Sequence, residues 1–240
     1  MSNVSPEVVK ELAPTGRLRV ALNLGNIVLA QRGADGRPKG VTVDLATELG
    51  KRLGVPVDFR EFDAAGKVFE TLKTGTIDLL FLAIEPVRAN EIAFTSPYVL
   101  IEGVYLVPKD SPLRSVADVD RAGVRIGVNK GSAYDLFLTR TLKSATLVRG
   151  DDGIALFKKE RLEAAGGVKQ PTAAYAKTDP AVRLIDGRFM EIRQAMGTPR
   201  GRDVGARYLQ QFIEEMKASG FVAEALRRSG QGDATVAPAG

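Results

Sequence analysis

The residues best placed to do chemistry are Glu85 and Arg88, which follow the apolar run Leu79-Leu80-Phe81-Leu82-Ala83-Ile84. The run has strand length and no polar alternation, the pattern of a strand buried on both faces, and open α/β sheets place ligands at the carboxyl end of such a strand. Glu85-Pro86 breaks the run, and Arg88 then brings a single cation to that end. A guanidinium can grip a carboxylate through two parallel charge-assisted bonds, which a lysine cannot. Arg88 is therefore read as the anion hook of a cleft.

Composition removes many other chemistries. The 240 residues contain no cysteine and no histidine, which excludes disulfide and thiol chemistry, the usual zinc sites and histidine-based nucleophilic triads. No cofactor and no metal is expected. The net charge of +5 comes from 34 basic and 29 acidic residues scattered along the chain, without the basic runs of nucleic-acid arms, so nucleic acid is not an expected partner. No apolar segment approaches the roughly 20 residues of a membrane span. The stretch Met1-Ser-Asn-Val-Ser-Pro-Glu-Val-Val-Lys10 lacks the basic start and apolar centre of an export signal. Two readings stay open: a periplasmic protein whose signal has been removed, or a cytoplasmic one.

The elements that must position Arg88 alternate. Leu18, Val20 and Leu22 read as a strand ending at Asn23; a helix carries Val43, Ala46, Leu49 and Leu53 on one face and stops at Gly54. Val55, Val57 and Phe59 form a second strand, Val68, Phe69 and Leu72 a helix stopped at Gly75, and residues 77–83 the third strand. This predicts a parallel sheet with right-handed connections. After the extended run 101–108 a second strand–helix series begins, with a strand over 124–128, a turn at Lys130-Gly131-Ser132-Ala133 and a helix over 134–142. It continues to about residue 190, and residues 188–196 read as a return crossing. The amphipathic set Val204, Tyr208, Phe212 and Met216 forms a late helix stopped at Gly220, and Val222 and Leu226 mark a shorter one. The expected domains are lobe 1 over 1–108 and 191–240 and lobe 2 over 109–190, with 229–240 a frayed tail. A lobe entered and left by two extended crossings implies a hinge, with the ligand between the lobes.

Several motifs in this order resemble the family 3 extracellular solute-binding proteins, the type that delivers polar amino acids to ABC importers. They include Gly16-Arg-Leu-Arg-Val20, Gly40-Val-Thr-Val-Asp-Leu-Ala46, Gly75-Thr-Ile-Asp78, Pro86-Val-Arg88, Phe94-Thr-Ser-Pro-Tyr98 and Val124-Arg-Ile-Gly-Val128 followed by Gly131-Ser132. The resemblance runs from about Gly16 to about Ser229. It implies an α/β, two-lobed periplasmic-binding-protein-like fold of type II, each lobe a sheet flanked by helices, joined by two hinge crossings. It also implies that Arg88 pairs with a ligand α-carboxylate, and that backbone N–H groups of the Gly131-Ser132-Ala133 turn receive the same group.

The departures from the family pattern bear on the ligand. Asn23 stands where the family places an ammonium-binding Asp, and the second such Asp falls near Gly166–Pro171, where Lys169 and Gln170 stand instead. A buried ammonium without a carboxylate costs several kcal/mol. Asn26 and Ala65 occupy the aromatic-clamp positions, Ala83 replaces a threonine and Phe81 a glycine, so Phe81 is a candidate apolar wall. The expected wall is Arg88, Lys130, Lys169, Asn23, Asn26, Gln170 and Gln194, with Glu85 the only nearby acid on the strand end. Its expected ligand is a small carboxylate or other anion, and an ABC permease is the partner implied for a monomer. Two alternatives use the same scaffold: a cytoplasmic ligand sensor, and a dehydratase-like enzyme on a carboxylated ring with Glu85 as general acid. Pairing of Glu85 with Arg88 argues against the enzyme.

Overall fold

The computed structural model describes residues 4–240. Residues 1–3, part of the stretch read above for an export signal, lie outside the described residues. The chain divides into two compact units, one made of residues up to Leu100 together with Arg193–Gly240, the other of Ile101–Ile192. The sequence reading places the crossings at 108/109 and 190/191. The entering boundary differs because Ile92–Pro108 is one unbroken strand of 17 residues, and its part Gly103–Leu106 already pairs with Val168–Ala165 of the second unit.

In the first unit, strand Leu18–Asn23 lies between two parallel neighbours, Val57–Phe62 and Leu79–Ala83. Strand Leu79–Ala83 is flanked on its other side by the antiparallel segment Gln194–Gly197. Every residue of Leu79–Ala83 is buried, the outcome anticipated from its unbroken apolar run. Its two faces serve different cores. Leu80 and Leu82 pack with Ala21, Val68, Ile77 and Ile92, while Phe81 and Ala83 point to the opposite side. Helices Val41–Leu53 and Ala65–Glu70 provide the connections, the second prolonged by a 3-10 turn over Thr71–Thr74. Gly54 and Gly75 end them in the left-handed conformation that favours glycine, with φ of 71° and 62°.

A helix not anticipated from the sequence, Pro6–Leu12, is capped by Ser5 and buries Leu12. It rests on the late helix Asp203–Ala218, where Gly205 N–H donates to Glu11 Oε2 at 2.7 Å. A Cβ at residue 205 would stand 2.7 Å from Leu12 Cδ2, so a larger residue here would force the Leu12 side chain to shift. The segment before Tyr98 belongs to the strand Ile92–Pro108. Its Ser96 N–H donates to Gln210 Oε1 at 2.7 Å and its Pro97 carbonyl accepts from Lys217 Nζ at 3.2 Å.

The expected frayed tail is a correction. Thr235–Val236 pairs antiparallel with Val99–Leu100, Ala237 N–H donates to the Tyr98 carbonyl at 3.0 Å, and Ala234 and Ala237 are buried. Main-chain pairing needs no apolar side chains, so the polar composition of 229–240 conceals it. Deleting residues 232–240 is expected to lower unfolding stability by about 2 kcal/mol, at ~1 kcal/mol per lost main-chain bond. A urea titration against the full chain checks this through its midpoint.

The second unit is built on strand Arg125–Asn129, which pairs in parallel with Thr146–Gly150 and with Ala164–Val168. Val182–Leu184 adds antiparallel to Leu106–Pro108. Helices Ala133–Thr141, Gly153–Glu160 and Lys169–Thr178 complete it. Leu106, Phe157, Leu162 and Ala165 form a core with Val148, Tyr175 and Leu184 against it. Among the described residues no helix is long and apolar enough to cross a membrane.

Candidate functional site

The first unit gathers a polar group at one end of its sheet. Glu85 is extended after the strand, and Pro86 opens the single-turn helix Pro86–Ala89, with the Glu85 carbonyl accepting from Arg88 N–H at 3.0 Å and Ala89 N–H at 2.9 Å. This turn folds the Arg88 side chain back over the strand end, where Nη1 donates to the Ala83 carbonyl at 3.1 Å. Arg88 is 1% exposed and Glu85 3%. Burial pushes the guanidinium down to about 10, while the Glu85 carboxylate works in the opposite direction. The group is therefore still charged at neutral pH, in a place where charge must be compensated.

Asn23 ends the neighbouring parallel strand, so it lies at the same end of the sheet. Its Oδ1 accepts from Gly25 N–H at 3.0 Å, and Asn26 Oδ1 accepts from Val28 N–H at 3.2 Å. Both carbonyl oxygens are thus spent on local turns of the kind Asn favours, which leaves the Nδ2 groups to act as donors. Asn26 is buried, so it serves its turn before any ligand. Phe81 is a core residue and not a wall: it is 1% exposed and meets Tyr98 edge-on, with ring centroids 6.0 Å apart. Gln194 lies directly across from Ala83 on the antiparallel neighbour and is buried.

The second unit holds the rest of the candidate residues. Gly131 turns with φ of 73°, and Ser132 caps helix Ala133–Thr141 by accepting from Asp135 N–H at 3.1 Å. The Gly131 N–H, expected to be open for a carboxylate, donates to Asp135 Oδ2 at 2.8 Å. Asp135 is buried and also takes Arg149 Nε at 2.8 Å. This correction had a local signal, since Ser132-Ala-Tyr-Asp135 has the spacing of a reciprocal cap. Lys130 is exposed, its backbone N–H donating to the Gly150 carbonyl at 2.8 Å. Ala133, the first helical residue, is buried.

Lys169 opens helix Lys169–Thr178 and is ion-paired with Glu102, which also accepts from Arg188 Nη1 at 3.2 Å. Lys169 first, with Arg188, holds the Glu102 carboxyl below its ordinary range, overriding the opposing effect of burial. Lys169 is thus no free cation. The acid that compensates it lies 67 residues away in the chain, beyond the reach of local sequence spacing. Next to it, Gln170 Oε1 is buried with no hydrogen-bond partner among the described residues. Among the described residues no cluster of His, Cys, Asp or Glu could hold a metal.

Two helix-flanked α/β units are the architecture of the type II periplasmic binding proteins. Residues 18–231 match the bacterial extracellular solute-binding proteins, family 3, and the chain belongs to that family. The histidine-binding periplasmic protein of Salmonella typhimurium is 27% identical over 222 residues, covering 85% of this chain and 84% of that protein. A solved solute receptor for L-cysteine from Neisseria gonorrhoeae superposes with a TM-score of 0.78 at 23% identity, covering 94% of this chain and 93% of that one. An ancestral amino acid-binding protein, AncCDT-1, a precursor of cyclohexadienyl dehydratase, gives 0.75 at 23% identity over 92% of this chain and 98% of that one. Membership places the chain among solute-binding proteins and not among enzymes.

Proposed function

We propose that this chain captures a small polar carboxylate outside the cytoplasm and presents it to an ABC importer. The observation that carries the reading is the buried guanidinium of Arg88, folded back over the end of strand Leu79–Ala83. A buried cation favours an anionic ligand, and a carboxylate matches the guanidinium fork. The Nδ2 donor of Asn23, at the same end of the sheet, supports an acceptor-rich ligand. The names of the relatives favour an amino-acid-like ligand; Asn23 and Ala83, standing where the family carries an acid and a hydroxyl, favour one without a buried ammonium.

A thermal-shift panel of amino acids and organic acids tests this. A ligand at 100 times its Kd adds about 2.7 kcal/mol, a shift of several degrees for a chain of this size. Organic acids are expected to produce it; stabilisation by glutamine or arginine, with none by acids, would sink the proposed ligand class. Fractionation of the native organism tests export.

A further inference from the structure

Among the described residues, the large hydrophobic side chains left exposed are Ile27 and Val87, at 45% and 47%. Each follows one of two neighbouring parallel strands. Val20 and Ala21 are in register with Leu79 and Leu80, so strands Leu18–Asn23 and Leu79–Ala83 end almost level, and Ile27 and Val87 each come four residues past the end. With such strands about 4.8 Å apart, the two loops leave the same end of the sheet. Neither exposure is slack in the chain. The Ile27 carbonyl accepts from Gln31 Nε2 at 2.8 Å, and the Asn26 carbonyl accepts from Leu29 N–H and Ala30 N–H at 3.0 and 3.1 Å. That turn buries Val28, Leu29 and Ala30 and leaves Ile27 outside. In the turn Pro86–Ala89 the usual partition is inverted, with the charged Arg88 buried and the apolar Val87 beside it in water. A turn built for stability alone would point the valine inward and the guanidinium out.

Aliphatic side chains scattered singly over a surface need no explanation; a pair held at the end of the sheet that carries a buried cation does. An occupant of that end must meet both features. The guanidinium selects an anionic head, and a carboxylate fits it. The aliphatic pair selects the rest. A hydrocarbon body laid over Ile27 and Val87 removes apolar surface from water on both sides, whereas a charged body there would lose water with no partner in return. We infer that Ile27 and Val87 are specificity-determining residues that take the hydrocarbon body of the ligand, a monocarboxylate with a branched apolar chain. The inference rests on the Arg88 reading and confines the polarity of that ligand to its head group.

Calorimetric titration of the full chain with two shape-matched pairs tests it: 4-methylpentanoate with succinate, and 3-methylbutanoate with malonate. In each pair an isopropyl group in one acid stands where the other has its second carboxylate. The unaltered protein is expected to favour the branched acid of at least one pair by about tenfold or more, as burial of that much apolar surface does. The double variant Ile27→Ser with Val87→Ser is expected to bring that ratio close to one. Its urea midpoint is expected to match that of the unaltered protein, because both side chains are exposed. A merely structural pair would move the midpoint and leave the ratio alone, and this result overturns the inference. So does equal or tighter binding of the dicarboxylates by the unaltered protein. If Arg88→Met abolishes binding in either of those cases, the carboxylate reading stands without the aliphatic pair. If Arg88→Met binds as well as the unaltered protein, or if none of the four acids binds, both fall.

Discussion

Arg88→Met is expected to abolish carboxylate binding, by on the order of 100-fold or more, because it removes a buried charged donor pair that no neighbouring group replaces. Stability is expected to fall as well. Arg88 and Glu85 are both buried, and the Glu85 carboxylate supports the charge on the guanidinium. Taking away one member of such a pair leaves the other buried and uncompensated, at about 3–5 kcal/mol. The double variant Arg88→Met with Glu85→Gln removes both charges, so it is expected to regain most of that loss while remaining unable to bind. Urea unfolding and calorimetry on the two variants check the pair of outcomes. Binding should also depend on alkaline pH. The guanidinium titrates at about 10 in the folded protein, below its ordinary value, so affinity is retained at neutral pH and lost as pH rises through that value. Burial of the charged form costs stability below pH 10 and is relieved above it, so ligand release on alkalinisation should precede unfolding.

Asp78→Ala is expected to be the most damaging substitution away from the site. Asp78 is fully buried; its Oδ2 accepts from Arg19 Nε at 2.7 Å and Arg19 N–H at 3.2 Å. Its Oδ1 accepts from Arg19 Nη2 and from Arg202 Nη1, each at 2.8 Å. One carboxylate thus joins the first strand, the start of the strand that leads to Arg88, and the entry of helix Asp203–Ala218. Its removal strands two arginines and is expected to cost about 3–5 kcal/mol, against a total of 5–15 for an ordinary domain. Burial disfavours its ionised form, but Arg19 and Arg202 override that and hold the carboxyl below its ordinary range. A depressed folded value contributes stability above the unfolded value of about 3.9 and loses it as pH falls through the folded one. Asp78→Asn should therefore flatten the acid side of the stability profile, measured by urea midpoints from pH 5 down to 2.

Legibility followed range of interaction. The strand Leu79–Ala83 could be read because its burial on both faces is written in its own residues, and the helix ends at Gly54, Gly75 and Gly220 because a left-handed turn restricts the residue locally. Arg88 could be placed at a strand end for the same reason. The pairing of Lys169 with Glu102 could not, since two charges 67 residues apart are brought together only by the pairing of Gly103 with Val168. Nor could the docking of Thr235–Val236 on Val99–Leu100, which uses main-chain groups common to every sequence.

By itself the sequence determined the α/β class, the order of most strands and helices, the absence of thiol and histidine side chains, and the position of Arg88 just past a strand end. Each follows from residue type and near-neighbour spacing. Only the tertiary structure decided the surroundings of that residue: Arg88 is buried with Nη1 on the Ala83 carbonyl, Gln194 stands across from Ala83, Phe81 belongs to the core, and Asp135 occupies the Gly131 amide. Burial and cross-strand register are properties of packed neighbours distant in the chain, and they govern which polar groups are satisfied internally and which are left for a ligand.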